Sequence, residues 1–176
     1  MYQRKDDILI TQENYAKKVL KEAGMFDCNP TVIPMDPNIK FSKNNEEEDT
    51  EATEYRILVG KLRYLLQTRP DLSYAVGIAS RYMQTPKKSH MVAIKQILRY
   101  IKGTLGYGIR YMRKSQMDLV GYCDSSHNID QDDGRSTTGH VFYLGSSPVT
   151  WCSQKQETVA LSSCETEYMA TCAASC

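Results

Sequence analysis

The 176-residue sequence contains no uninterrupted apolar run of eighteen residues. Without one, no helix can satisfy its backbone across a bilayer core, so a spanning helix is excluded. The opening MYQRKDDILI carries charge where a secretory leader needs an apolar centre, so secretion is not expected. There is no CxxC pair among the six cysteines (28, 123, 152, 164, 172, 176), no GxGxxG and no phosphate-binding loop. With no leader, the cysteines are expected to be reduced and mostly small buried hydrophobes. Cys172 and Cys176 lie four apart and share a helical face, but a zinc site ranks behind that reading. At 41% hydrophobic and 24% charged, the composition is globular, enough for one ordinary domain or two small ones.

Acidic residues are nearly missing from one stretch. Residues 55–114 carry 13 basic side chains and a single acid, Asp71, for a net +12. Residues 1–54 hold 12 acids against 7 bases, and residues 115–176 hold 8 against 2, so the total is only +1. A basic middle between acidic flanks is the pattern of a polyanion-binding segment beside a metal-binding one.

Residues 2–11 read as a strand or half a hairpin, with Thr11 as the expected N-cap of a helix over 12–23 and Gly24 as its stop. Residues 27–54 hold three prolines and the acidic run Glu46-Glu47-Glu48-Asp49, and show no apolar period, so a linker or long loop is expected. The run itself is most simply a solvated stretch. From Glu54 to Lys102 the period is helical. Leu58, Leu62, Leu65 and Leu66 form one face; Pro70-Asp71 opens a second helix burying Leu72, Ala75, Val76 and Ala79. Ser89 is the expected cap of a third, with Met91, Ile94, Ile97, Leu98 and Ile101 inward and Lys95, Arg99 and Lys102 as a basic stripe. Arg56 and Arg63 lie off the apolar face of the first of these helices. Seven tyrosines (55, 64, 74, 82, 100, 107, 111) among these charges predict an aromatic-basic surface, and nucleic-acid contact is favoured over a bundle whose lysines only confer solubility.

The last third alternates. Strands are expected over 119–124, 139–144 and 148–153, with turns at Gly134 and Gly145-Ser146-Ser147, then a helix from near Ser162. Three strands and a helix predict an α/β unit lacking its second half, with an open edge and an uncovered apolar face. Asp124 at a strand end and Glu167 on the helix are placed to meet over the sheet and hold a hard divalent cation, although a turn-capping role for Asp124 is the default from spacing alone. The run from Asn128 to Gly134 is like a calcium loop but puts glycine one place late and Gly139 where Glu belongs. Asp124, Ser126 and His127 are too close in sequence for a hydrolase triad and read as loop residues.

Several phrases in this order, VGKLRYL, TRPDLSYAV, ILRYIKGT and GYGI, resemble the thumb and connection region of copia-type LTR-retrotransposon Pol polyproteins. GYCDSS, DDGRSTTGHVFYLG, VTWCSQKQ and TVALSSCETEYMA resemble the start of the ribonuclease H domain of the same polyproteins, and ILITQENYAKKVLKEAGMFDCNPTVIPMD resembles the segment after the polymerase palm. The resemblance implies an α+β chain: a helical thumb/connection segment followed by a truncated RNase H-like α/β unit of three strands and its first helix. It divides the chain into a palm tail over 1–26, an acidic linker over 27–54, a basic helical region over 55–114 and half an RNase H-like domain over 115–176.

In that family two Mg²⁺ ions held by four carboxylates cut the RNA strand of an RNA–DNA hybrid. The first carboxylate matches Asp124 and the second Glu167, in Glu-Tyr-Met-Ala, with Glu165 as the alternative. The third and fourth are expected beyond Cys176, and the polymerase aspartates before Met1. The loop Ser126-His127-Asn128-Ile129 departs from the family pattern of an aromatic followed by small residues. A Pol segment that handles hybrids but is inert alone is therefore expected, with a non-catalytic binding module using Arg56, Arg63, Lys95, Arg99 and Lys102 as the alternative. Nucleic acid and the rest of the polyprotein are the implied partners. The implied address is intracellular, cytoplasmic or, in transit with a retroelement, nuclear.

Overall fold

Most helical and strand periods of this chain resolve into the elements their spacing dictates, but residues 108–112, within the region expected to be helical, form a strand. The computed structural model describes residues 1–37, 39–43, 46–113, 117–127 and 130–176. The expected border at 114/115, and Asn128 and Ile129 of the departing loop, lie outside the described residues. The described residues form two compact units, Thr11–Gly108 and a second made of Met1–Ile10 with Ile109–Cys176.

In the first unit, α1 (Glu13–Glu22) buries Ala16, Val19 and Leu20, α2 (Ala52–Leu65) buries Tyr55, Leu58, Val59, Leu62 and Leu65, and α4 (Lys88–Gly103) buries the five apolar residues expected of it. Between them Pro70–Leu72 makes one 3₁₀ turn that leads into α3 (Ser73–Ala79). Proline suits that turn because its fixed φ is already helical and its missing N–H would have had no partner there. The four helices close around one apolar cluster. Full burial of each Leu or Ile is worth about 1.5–3 kcal/mol, so this shared core holds the unit together.

Four sequence expectations change here. Thr11 ends a strand instead of capping α1, whose N-cap is Gln12, without a side-chain bond. Ser89 lies inside the first turn of α4, whose N-cap is Lys87; the Lys87 amide donates to Nδ1 of the buried His90 at 3.0 Å. The described residues between 27 and 51 have the irregular backbone expected, and α2 takes 52–54, but the segment is not merely a linker, because Met35 and Phe41 enter the core. Tyr55 and Tyr82 are buried, and so belong to no aromatic surface; their hydroxyls donate to the carbonyls of Ala79 and Phe41. Gly24 does end α1 as expected, at φ +63°, donating its amide to the Lys21 carbonyl.

In the second unit the hairpin β1 (Tyr2–Gln3) and β2 (Asp7–Thr11) is antiparallel, and β3 (Gly108–Met112) flanks β2. A separate meander joins β4 (Leu119–Ser125), β5 (Thr137–Leu144) and β6 (Ser147–Lys155), all antiparallel neighbours. The β5–β6 turn needs only Gly145 and Ser146, and Gly145 takes φ +62°. Helix α5 (Ser163–Ser175) begins at the N-cap Ser162, whose hydroxyl accepts from the Glu165 amide. It lies on the sheet face of Cys123 and Ser125, where the Cys123 thiol meets the Thr171 hydroxyl at 3.5 Å. The opposite face carries Val120 and Tyr122, exposed as the expected half sheet would leave them. The cysteines depart from expectation: Cys123, Cys164, Cys172 and Cys176 are exposed and only Cys28 and Cys152 partly buried.

Candidate functional site

Strand β4 runs out at Asp124 and Ser125, and register places Asp124 opposite Gly139, so no side chain crowds the carboxylate from the partner strand. The Ser125 amide donates to Asp124 Oδ1 at 2.9 Å and to Glu167 Oε1 at 3.3 Å. The Ser125 hydroxyl donates to the same Glu167 oxygen at 3.1 Å. Strand end and helix α5 thus bring the two expected carboxylates to one amide, joined by a residue that sequence reading did not single out. Its only signal was position, a hydroxyl directly after the strand-end acid.

Glu165 is used otherwise. Its Oε2 accepts from the Leu161 amide at 2.6 Å while its own amide donates to Ser162, a reciprocal cap that commits it to the start of α5. The donor set of Asp124 and Glu167 is all oxygen and exposed, which suits a hard cation such as Mg²⁺ with water and phosphate completing its shell. Among the described residues no three His, Cys, Asp or Glu side chains gather to hold a metal ion.

The neighbouring acidic loop is satisfied internally. Lys155 Nζ lies 2.6 Å from Oδ2 of the buried Asp130 and 2.7 Å from Asp133. Burial pushes the Asp133 carboxyl up, but the Lys155 ammonium and the Arg135 amide outweigh it and hold it below the usual range. A protein cation therefore stands where the calcium-loop likeness would seek a metal.

The basic segment is partly neutralised by the acidic one before it. Lys61 pairs with Glu22 at 2.7 Å, Lys87 with Asp49 at 2.8 Å, and Lys88 with Glu48. Arg69 is buried against Asp71. The unit of residues 11–108 carries 15 bases and 11 acids, a net +4 where residues 55–114 alone suggested +12. Of the five expected contact residues, Arg56 donates to the Met83 carbonyl at 2.9 Å and Arg99 to that of Asn29 at 2.8 Å. Lys102 stands 4.4 Å over the Phe26 ring. Arg63 and Lys95 are exposed on α2 and α4.

A strand-end aspartate and a helical glutamate that share one serine amide thus sit in a mixed α/β chain that also carries a net-cationic helical unit. The chain is 41% identical over 159 residues to the retrovirus-related Pol polyprotein from transposon RE1 of Arabidopsis thaliana, covering 90% of this chain and 11% of that protein. It is 35% identical over 168 residues to the corresponding polyprotein of transposon TNT 1-94 from Nicotiana tabacum, covering 92% of this chain and 13% of the relative. Its identity to the uncharacterized mitochondrial protein AtMg00810 of Arabidopsis thaliana is 36% over 163 residues, 93% of this chain and 68% of that one. No family model and no solved structure matches. The chain belongs to the copia-type, retrovirus-related Pol polyproteins of transposons. It spans little more than a tenth of the two full polyproteins compared.

Proposed function

We propose that this chain is the part of a retrotransposon Pol polyprotein that joins the reverse transcriptase to its ribonuclease H, gripping RNA–DNA hybrid with the helical unit and contributing two carboxylates to a divalent-metal site. The meeting of Asp124 and Glu167 at Ser125 carries this reading. A strand-end acid facing a helical acid is the arrangement a metal bridge needs, and the Ser125 hydrogen bonds orient the Glu167 oxygen in advance. Mg²⁺ bound there would polarise a phosphodiester and help to generate the attacking hydroxide. Asp124 and Glu167 would be its protein ligands, and Ser125 the residue that positions Glu167. With two carboxylates the chain is expected to bind the cation without cleaving hybrid by itself. Its place of action under this reading is intracellular, in the cytoplasm with passage to the nucleus.

Mn²⁺, read by electron paramagnetic resonance, tests the pair. Wild type should remove free Mn²⁺, and Asp124→Asn or Glu167→Gln should weaken binding about tenfold or more, whereas Glu165→Gln should not. Equal Mn²⁺ uptake by all four proteins would sink the assignment.

A second reading, a binding module without chemistry, is favoured by the cationic helical unit. Affinity for hybrid should fall steeply with salt as counterions are released, and Lys95→Gln with Arg63→Gln should flatten that slope by about two phosphate contacts. A salt-independent affinity would remove it.

A further inference from the structure

The acidic run that reads as a solvated stretch is bound to the start of the basic helix. The Ser89 amide donates to Glu47 Oε2 at 3.0 Å and the Lys88 amide to the Glu48 carbonyl at 3.1 Å. The Glu48 carboxylate pairs with Lys88, and Asp49 Oδ1 lies 2.8 Å from Lys87 Nζ. Asp49 also bridges Lys87 backbone to backbone, and the Thr50 amide donates to the Pro86 carbonyl at 2.9 Å. Three successive acids thereby meet two lysine ammoniums and a first-turn amide of α4.

Those donors, two cations and a first-turn N–H beside the positive end of a sixteen-residue helix, are what a phosphodiester oxygen would take. We infer that Glu47, Glu48 and Asp49 form an internal polyanion mimic that masks Lys87 and Lys88 and competes with nucleic-acid backbone for the start of α4. This rests on the reading of the helical unit as a nucleic-acid grip. The mask is anchored by backbone bonds at both ends of the contact, so it is held close to the lysines at high effective concentration, yet its three side chains are at the surface and exchangeable. It also gives part of the acidic flank a place: three of its acids pair with the start of α4.

The test measures binding of a fluorescently labelled RNA–DNA hybrid by the full chain at low salt. Glu47→Gln with Glu48→Gln and Asp49→Asn should bind about tenfold more tightly than wild type. Adding Lys87→Gln and Lys88→Gln to that variant should abolish the gain, while the same two lysine changes in wild type should alter affinity by less than about twofold, because there their charges are already paired with Asp49 and Glu48. Neutralising Asp27 and Glu54, exposed acids that make none of these contacts, should give less than about a third of the gain and so exclude a mere net-charge effect. The lysine substitutions in wild type leave the Glu47–Ser89 contact in place, so they report even if the acid variant fails to fold. A wild type that binds hybrid while the acid variant gains nothing, or a large loss from the lysine changes in wild type, overturns the mask alone. No binding by any variant overturns the grip and the mask with it.

Discussion

One oxygen of Glu167 accepts from both the amide and the hydroxyl of Ser125, the residue that follows Asp124 on its strand. A carboxylate held by two donors has less freedom to lose when it binds a cation, so Ser125 is a positioning residue and not a ligand. Ser125→Ala keeps the amide bond and removes the hydroxyl. It should weaken Mn²⁺ binding about three- to tenfold, clearly less than Glu167→Gln, with the helix content from circular dichroism unchanged. A loss equal to that of Glu167→Gln would make Ser125 a ligand in its own right.

Arg69 ties the 3₁₀ turn to the far end of α4. Its guanidinium is 3% exposed, grips Asp71 at 2.7 and 2.9 Å, and donates to the carbonyl and hydroxyl of Thr104 at 3.1 and 2.7 Å. The rings of Tyr100 and Tyr107 lie 5.6 and 5.4 Å away, and the Tyr100 hydroxyl donates to Asp71. Arg69→Met leaves a carboxylate and a carbonyl without these donors, so it should lower stability by about 3 kcal/mol in denaturant melts. Arg69→Lys should recover less than half of that, because one ammonium cannot reproduce the fork. A loss below about 1 kcal/mol would mean that water replaces the guanidinium at little cost.

The same arginine shows what the sequence could and could not disclose. Helical period located the buried faces of α2, α3 and α4 well, because a core stripe repeats locally and needs no partner to be recognised. Strand-end Asp124 and helical Glu167 were likewise legible, since strand alternation and Ser162 capping fix their places. Charge was not. Arg69 counted as one of thirteen surface bases until its pairing with Asp71 was visible, and the Glu48–Lys88 and Glu22–Lys61 pairs join residues about forty apart in sequence. Tyr55 and Tyr82 failed as surface aromatics for a related reason: a carbonyl on another element satisfies each hydroxyl, which no local pattern announces. Ser89 lost its capping role to Lys87 because the buried His90 ring supplies the acceptor for the entering amide.

Tyr55 should set the alkaline limit of the helical unit. It is fully buried, and burial first, with Tyr82 nearby adding to it, raises its phenol well above the ordinary value of 10.0. The unfolded chain therefore releases this proton first. Stability from Tyr55 is complete below pH about 10 and is lost as pH rises further, by up to about 1.4 kcal/mol per pH unit. Tyr55→Phe gives up the bond to Ala79, costing about 1 kcal/mol at pH 7, but its denaturation midpoint should fall less steeply between pH 10 and 11.5. Parallel curves for the two proteins would assign the alkaline loss to other groups.

Gly121 sits directly across from Phe142 on β5, and a Cβ at that position would stand 2.5 Å from one ring carbon and 2.8 Å from another. The ring lies over the glycine because nothing projects there, on the sheet face that α5 covers. Gly121→Ala would normally gain a few tenths to 1 kcal/mol by restricting the unfolded chain. Here the clash should dominate, with a net loss of about 1–2 kcal/mol, since a strand-bound aromatic can move only by disturbing its neighbours. Phe142→Leu alone should also destabilise, by removing buried ring area. Combined, the two changes should cost less than their sum by about 1 kcal/mol or more, the shorter side chain making room for the new methyl. Strict additivity would show that the ring already turns aside freely, and that the glycine is present for some reason other than this contact.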